Sequence, residues 1–379
     1  MPLHDDVRFG VLLGSYRRRN QSVAEVFART TALAACAEEL EFDDLWVTEH
    51  HFLPTAVSPS ALALAAYLLG RTHRIQVGTA VTLLPMHSPV HVAEQAALLD
   101  QLSGGRFTLG TGRGGPSAAY DVIGQGLEHW HRGLPEALDL IRAAWTGRVA
   151  ASSDLHSFPQ AIPTPAPLTP AGPHLYVAAG SPSTIETAAA RGLPMLLFFD
   201  KTAEAKAEMA ALHAKLAVAA GHPATGYRHA FALFAHVTDS PAHARDLMRA
   251  RSRHLVESIN QPAASPDRQT GQPVVEQVPE QKGEPDGVTA KAAVDEKTVD
   301  EIAGRLLATQ AVGDAELCTE RIVHHIRTSG CPRIMLQVEA DSDHDAALRN
   351  LRRLAAEVLP AVRARLLPHD SASTVMDLS

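Results

Sequence analysis

The residues best suited to chemistry gather in three short segments. The first is Thr48-Glu49-His50-His51-Phe52, which directly follows an apolar run. An imidazole at a strand end can take or give a proton near neutral pH, because histidine titrates in that range. The blander reading is a histidine pair satisfied by backbone or by Glu49. A metal reading is weaker still, since adjacent histidines on a strand point to opposite faces and no HExxH helix follows. The second segment, Gly104 to Gly115, runs an apolar strand into a glycine-rich turn that holds Arg113. Glycine lets backbone approach a ligand closely, and arginine pairs with phosphate through a two-pronged fork. In the third, Tyr176 to Thr184, a strand leads into Ser181, Pro182, Ser183 and Thr184 at the start of a helix. A helix N-terminus favours anions, although an ordinary cap by Ser181 or Ser183 would read the same way. Taken together, Arg113 and the Ser181–Thr184 turn suggest one phosphate pocket built from two strand ends.

Those segments need a scaffold, and the chain alternates short strand-like runs with longer helix-like ones. Strands are predicted at 8–13, 44–47, 75–83, 106–110, 175–178, 195–199, 230–237 and 333–338. Helical periodicity falls at 60–69, 90–102, 184–191, 203–219, 242–258, 315–328 and 343–359, with a first helix after Ser22 as N-cap. Eight strands separated by helices argue for a parallel sheet closed into a (β/α)8 barrel, in preference to an open doubly wound sheet. In such barrels reactive groups sit at the C-terminal strand ends, where all three segments fall. The chain is read as one domain over 1–379. Six prolines between Phe158 and Pro173 mark an extended connection over the barrel surface. The segment 261–295, rich in Pro, Gln, Glu and Lys, reads as a disordered insertion or a lid. His129 and His131 flank Trp130 in an expected loop, His324 and His325 lie on an amphipathic helix, and His87 and His91 straddle a turn. These histidines read as solvated or core-satisfied.

Composition narrows the function class. The chain has 379 residues, 45% hydrophobic and 20% charged, an ordinary globular balance. Its 34 Lys and Arg stand against 42 Asp and Glu, a formal charge of -8 that lacks the footprint of a nucleic-acid binder. Three well-separated cysteines (Cys36, Cys318, Cys331) argue against a disulfide framework and suit a reducing compartment. No apolar leader or membrane-length stretch is evident, so a cytoplasmic protein is expected. No GxSxG elbow and no Walker loop occurs.

At these segments the chain resembles the bacterial luciferase family of flavin-dependent monooxygenases, particularly its catalytic alpha subunits. The matching stretches are FDDLWVTEHHF (42–52), VGTAVTLLPMHSPVHVAEQAALLDQLSGGRFTLGTGRG (77–114), LYVAAGSPSTIETAAARGLPMLL (175–197) and QAVGDAELCTERIVHHIRTSGCPRIMLQVE (310–339). The resemblance implies a (β/α)8 barrel binding reduced FMN at its C-terminal mouth. His50 matches the catalytic histidine, and Ala80-Val81 the site of a non-proline cis peptide beside the flavin. Arg113 matches the phosphate-binding arginine, Ser181 and Thr184 its hydroxyl partners, while Ala178 and Ala179 fall where family backbone lines the flavin. Gly180 departs from a glutamate near the ribityl phosphate, and Gly112 from a cysteine beside the ring. The segment 261–295 occupies the place of a mobile active-site loop but differs in sequence.

The resemblance implies a two-component monooxygenase. Reduced FMN would come from a separate NAD(P)H-dependent flavin reductase and react with O2 to a C4a-peroxyflavin. A small organic substrate, an aldehyde or a secondary metabolite, would then be hydroxylated or undergo Baeyer–Villiger insertion. A homodimer is implied through the helix at 90–102, with Ala93, Ala96 and Ala97 allowing close packing. Rival readings are a deazaflavin-dependent oxidoreductase on the same barrel, a non-catalytic flavin-binding subunit and, more remotely, a metal-dependent hydrolase.

Overall fold

The computed structural model describes residues 7–18, 20–117, 119–259, 265–266, 273–274, 295–340 and 343–367. The segment 261–295 therefore lies outside the described residues, apart from 265–266, 273–274 and Asp295.

Eight strands have apolar residues on both faces, as burial between an interior and a helix layer demands. They are β1 (Arg8–Leu13), β2 (Asp44–Val47), β3 (Gln76–Thr79), β4 (Phe107–Gly112), β5 (His174–Ala179), β6 (Met195–Leu197), β7 (Ala230–Val237) and β8 (Arg333–Gln337). Each pairs in parallel with the next, and β8 pairs with β1, so the sheet closes into the expected barrel. Alternate side chains separate two cores. Phe9, Val11, Leu45, Val47, Val77, Phe107, Leu109 and Val177 pack outward with the helices. Leu12, Trp46, Tyr176, Leu196, Ala232 and Met335 fill the interior. Gly10 and Gly78 make room for the indole, because a Cβ at either would stand 2.9 or 2.6 Å from Trp46. Below Trp46, Asp44 pairs with Arg8 (3.0 Å) and Arg333 (3.3 Å), and Arg333 donates to the Tyr176 hydroxyl (3.0 Å). That layer closes the barrel floor, leaving the C-terminal mouth as the accessible end.

Several local readings need correction. The strand expected over 75–83 breaks into Gln76–Thr79 and the two-residue strand Thr82–Leu83, with the cis peptide Ala80–Val81 between them. His129, Trp130 and His131 lie on the 21-residue helix Gly126–Thr146, not in a loop. Its apolar stripe of Leu134, Leu138, Ile141 and Trp145 recurs at helical spacing and outweighs the internal Pro135. Part of the proline-rich connection, Ser157–Ala161, forms an antiparallel hairpin with Val149–Ser152. A further helix, Glu296–Thr309, precedes β8. The helix expected over 343–359 is His344–Arg353, followed by a π-helical turn at Leu354–Val358 and the helix Leu359–Leu366. Finally, Ala93, Ala96 and Ala97 are buried in the chain's own core beneath the helix Pro89–Ser103. They cannot offer the close-packing face a homodimer was expected to use. Among the described residues, no helix is long and apolar enough to cross a membrane.

Candidate active site

β2 carries Trp46 into the interior and delivers the Glu49-His50-His51 segment to the rim. Glu49 is buried, and its Oε1 accepts Nε2–H from His87 (2.7 Å) and from His51 (3.2 Å), as well as the Leu83 N–H (3.2 Å). Oε2 accepts the Ala61 N–H (3.1 Å) at the start of the helix Ala61–Arg71. Burial alone would raise this carboxyl. The hydrogen bonds from His51 and His87, the His87 charge and the Ala61 N–H outweigh it and hold the pKa at about 2. Glu49 thus ties the end of β2 to the turn after β3. The ligand atoms of Glu49, His51 and His87 lie within 4.8 Å of one another, a grouping a cation could bridge. Both imidazoles already donate to one oxygen, so the trio is complete as a hydrogen-bond network. His87, read from sequence as bland, belongs here, and its 38-residue separation from Glu49 left no local signal.

His50 is half-buried, and its backbone N–H donates to the Ser58 carbonyl (2.8 Å). Its ring centroid stands 6.4 Å from that of Tyr16, just past β1. Burial, then the charge of Arg251, lower its pKa to about 4 despite the carboxylate of Glu49. At neutral pH it is an uncharged imidazole. Tyr16, Arg251 and His254 meet beside it: the Arg251 guanidinium lies 3.8 Å from the Tyr16 ring centroid, and the His254 ring 5.7 Å away. No sequence motif marked these three residues.

β4 and β5 are neighbours, with Thr111 opposite Val177, so Arg113 and Ser181 follow adjacent strand ends on one rim. The Arg113 guanidinium lies 4.4 Å over the Trp130 ring, whose Nε1–H donates to the Gly114 carbonyl (2.9 Å). Buried Tyr120 donates its hydroxyl to the Arg113 carbonyl (2.6 Å). Among the described residues no carboxylate pairs with Arg113. Ser181 caps the helix Pro182–Ala189, and its hydroxyl lies 3.0 Å from that of Ser183. Thr184 is occupied differently from the expectation. Its hydroxyl accepts the N–H groups of Gly180 and Ser181 (both 3.1 Å) and donates to the Ser181 carbonyl (2.9 Å). It shapes the turn, which leaves Ser181 and Ser183 as the hydroxyls facing outward.

Between these groups the wall carries almost no side chains. Ala80 donates its N–H to the Val47 carbonyl (2.7 Å), which sets the Ala80–Val81 cis peptide against the end of β2. A Cβ at Gly112 would stand 2.7 Å from Val81 Cγ2 and 3.2 Å from Ala178 Cβ, so glycine here keeps the wall tightly packed and free of a side chain. Gly180 is open by comparison, its nearest neighbour being Phe198 at 3.9 Å. Ala178 faces inward beside Val81, whereas the side chain of Ala179 points into the outer core and only its backbone reaches the rim.

Comparison with known proteins identifies the family. The family model for luciferase-like monooxygenases matches residues 7–331. An alkanal monooxygenase alpha chain from Photorhabdus luminescens is 34% identical over 255 residues, 66% of this chain and 70% of that one. Among solved structures, monooxygenase RslO1 from Streptomyces bottropensis superposes with a TM-score of 0.75 at 21% identity, covering 93% of this chain and 99% of that one. The oxygenating constituent of 3,6-diketocamphane monooxygenase from Pseudomonas putida, a type II Baeyer–Villiger monooxygenase solved with FMN, gives 0.71 at 18% identity, covering 94% and 98%. At those identities the two structures speak to the fold alone. The match over residues 7–331, carried on a closed parallel barrel, shows that the chain belongs to the luciferase-like monooxygenase family.

Proposed function

We propose that this chain is the oxygenating component of a two-component monooxygenase that uses reduced FMN and O2. The observation that carries the reading is the rim of β3 to β5. There Arg113, unpaired with any carboxylate among the described residues, sits one strand from the Ser181 and Ser183 hydroxyls, above a wall reduced to Ala80, Val81, Gly112 and Ala178. This donor set suits a phosphate dianion: one guanidinium fork, two hydroxyls and a helix N-terminus. The bare wall suits the flat ring beyond it, with the backbone of Ala179 and Gly180 alongside. When bound, reduced FMN would supply the two electrons that activate O2, one oxygen atom of which would reach a small organic substrate while the other leaves as water.

The chain's own residues do the rest. Arg113 and Ser181 bind the phosphate, and Thr184 holds the turn that presents Ser181. Trp46 and Tyr176 seal the interior beneath the site and keep water from entering through the barrel floor. His50, uncharged at neutral pH, accepts or returns a proton at its ring nitrogen during oxygen transfer. Glu49 positions that segment without itself exchanging protons, since it is fully hydrogen-bonded and stays ionised. Reduced flavin arrives from a separate reductase.

Anaerobic titration with reduced FMN, followed by turnover with a reductase, O2 and candidate substrates, tests the reading. Arg113→Ala should weaken reduced-FMN binding at least about ten-fold, as expected for a lost charge-assisted contact. His50→Ala should cut turnover by about 100-fold while sparing FMN affinity, the usual size of a lost acid–base group. Failure to bind reduced FMN, or preferential binding of a reduced deazaflavin, would overturn the proposal.

A further inference from the structure

Across the mouth from Arg113, at the ends of β1 and β7, lies a second cationic feature. Three arginines are buried among the described residues: Arg29, Arg251 and Arg333. Arg29 is paired with Glu339 (3.2 Å), and Arg333 with Asp44 (3.3 Å). Arg251, on the helix Pro241–Ile259, has no such partner among the described residues. It is 5% exposed, and its Nε is buried without a hydrogen bond. Among the described residues the guanidinium rests on aromatic faces, 3.8 Å from the Tyr16 centroid and 5.3 Å from that of Phe234.

The surrounding carboxylates are already committed. Glu339 also accepts the Gly14 N–H (2.6 Å), and Glu49 is saturated by His51, His87 and two backbone N–H groups. One residue before Tyr16, the Ser15 hydroxyl is likewise buried with no partner among the described residues. His254, one turn beyond Arg251, packs its edge on Tyr16 and forms another wall. A buried, unpaired guanidinium is costly to maintain, and proteins ordinarily neutralise such a charge. A bound anion would do so here.

We propose that Arg251, where the helix Pro241–Ile259 packs on Tyr16, recognises an anionic oxygen group on the substrate, a carboxylate or acidic phenolate, as its counter-ion, with Ser15 as a hydroxyl donor. That the ligand is the substrate rests on the flavin-monooxygenase reading above; that an anion binds there does not. Tyr16 bridges Arg251 and His50, so an acid gripped at Arg251 extends its remaining carbon skeleton towards the imidazole. The substrate class is then a small organic acid, not a neutral aldehyde.

The test uses matched pairs, benzoate against benzyl alcohol and decanoate against 1-decanol, titrated calorimetrically into the purified full chain. At least one acid should bind ten-fold or more tightly than its alcohol. Arg251→Met should erase that preference while leaving reduced-FMN affinity and the melting temperature undiminished, because no ion pair is broken. Acids bound no better than alcohols by the unaltered protein would overturn the proposal, a result that needs no variant. So would a preference that survives Arg251→Met, or a variant that loses FMN instead of the acid. Acid preference in a chain that fails to bind reduced FMN would sink the flavin reading and leave the anion site standing.

Discussion

Glu49 and His50 are adjacent in the chain and share a low-dielectric rim, yet burial affects them differently because their partners differ. Glu49 collects four hydrogen bonds and stays ionised, whereas His50 faces the Arg251 charge and stays neutral. An ionised carboxylate that organises two imidazoles is a structural keystone as much as an electrostatic one. Glu49→Gln keeps the shape but removes the charge and one acceptor oxygen. It should cost about 2 kcal/mol, the range for hydrogen bonds to a charged group, read as a lower urea midpoint with unchanged slope. A midpoint equal to that of the unaltered protein would mean the two histidines do not depend on the carboxylate.

At the scale of elements, the site owes its shape to the junction of β3 and β4. The Thr79 hydroxyl donates to the Gly110 carbonyl (2.7 Å) and accepts the Gly110 N–H (3.0 Å), so a side chain knits the strands where the ladder ends. Such close approach requires glycine: a Cβ at Gly110 would stand 2.0 Å from the Thr79 carbonyl oxygen. Gly110→Ala should therefore destabilise the barrel by about 3 kcal/mol, at the upper end of overpacking effects. Gly180→Ala, whose Cβ would meet only Phe198 at 3.9 Å, should leave stability within about 0.5 kcal/mol. Thermal melts of the two variants side by side check the contrast, and equal melting temperatures would refute it.

For the whole molecule, the buried histidines set a pH limit. Burial, the largest cause in each case, lowers the pKa of His50, His254 and His325 to about 4 and of His229 to about 3. The unfolded chain therefore takes up protons below about pH 6.5 that the folded chain refuses until about pH 4. Their contribution to stability is complete above that upper value and is lost as pH falls through the window. Calorimetry should show the melting temperature declining between pH 6.5 and 4; a flat profile would mean these rings titrate normally in the folded state. Assembly is a second property at this scale. With Ala93, Ala96 and Ala97 buried, a homodimer through the helix Pro89–Ser103 must use Leu98 and Leu102, which are 45% and 76% exposed and one turn apart. Light scattering should find a dimer that Leu98→Glu with Leu102→Glu converts to monomer. A monomeric unaltered protein would remove this interface.

By itself the sequence determined the eight strands, their order and the rim on which chemistry could occur. Apolar runs, caps such as Ser181 and glycine-rich turns act over a few residues, so they are legible without the fold. Resemblance, not periodicity, marked Ala80–Val81 as a cis peptide. The long helix around Trp130 was missed because its histidines and Pro135 masked an apolar stripe that only its packing makes plain. Tertiary structure alone decided that His87 joins Glu49, that Thr184 shapes its turn, that three alanines face inward and that Arg251 is buried with no carboxylate partner among the described residues. The physical reason is range. Backbone periodicity is a local property, whereas the pairing and charge state of buried groups depend on which distant parts of the chain share one water-poor space.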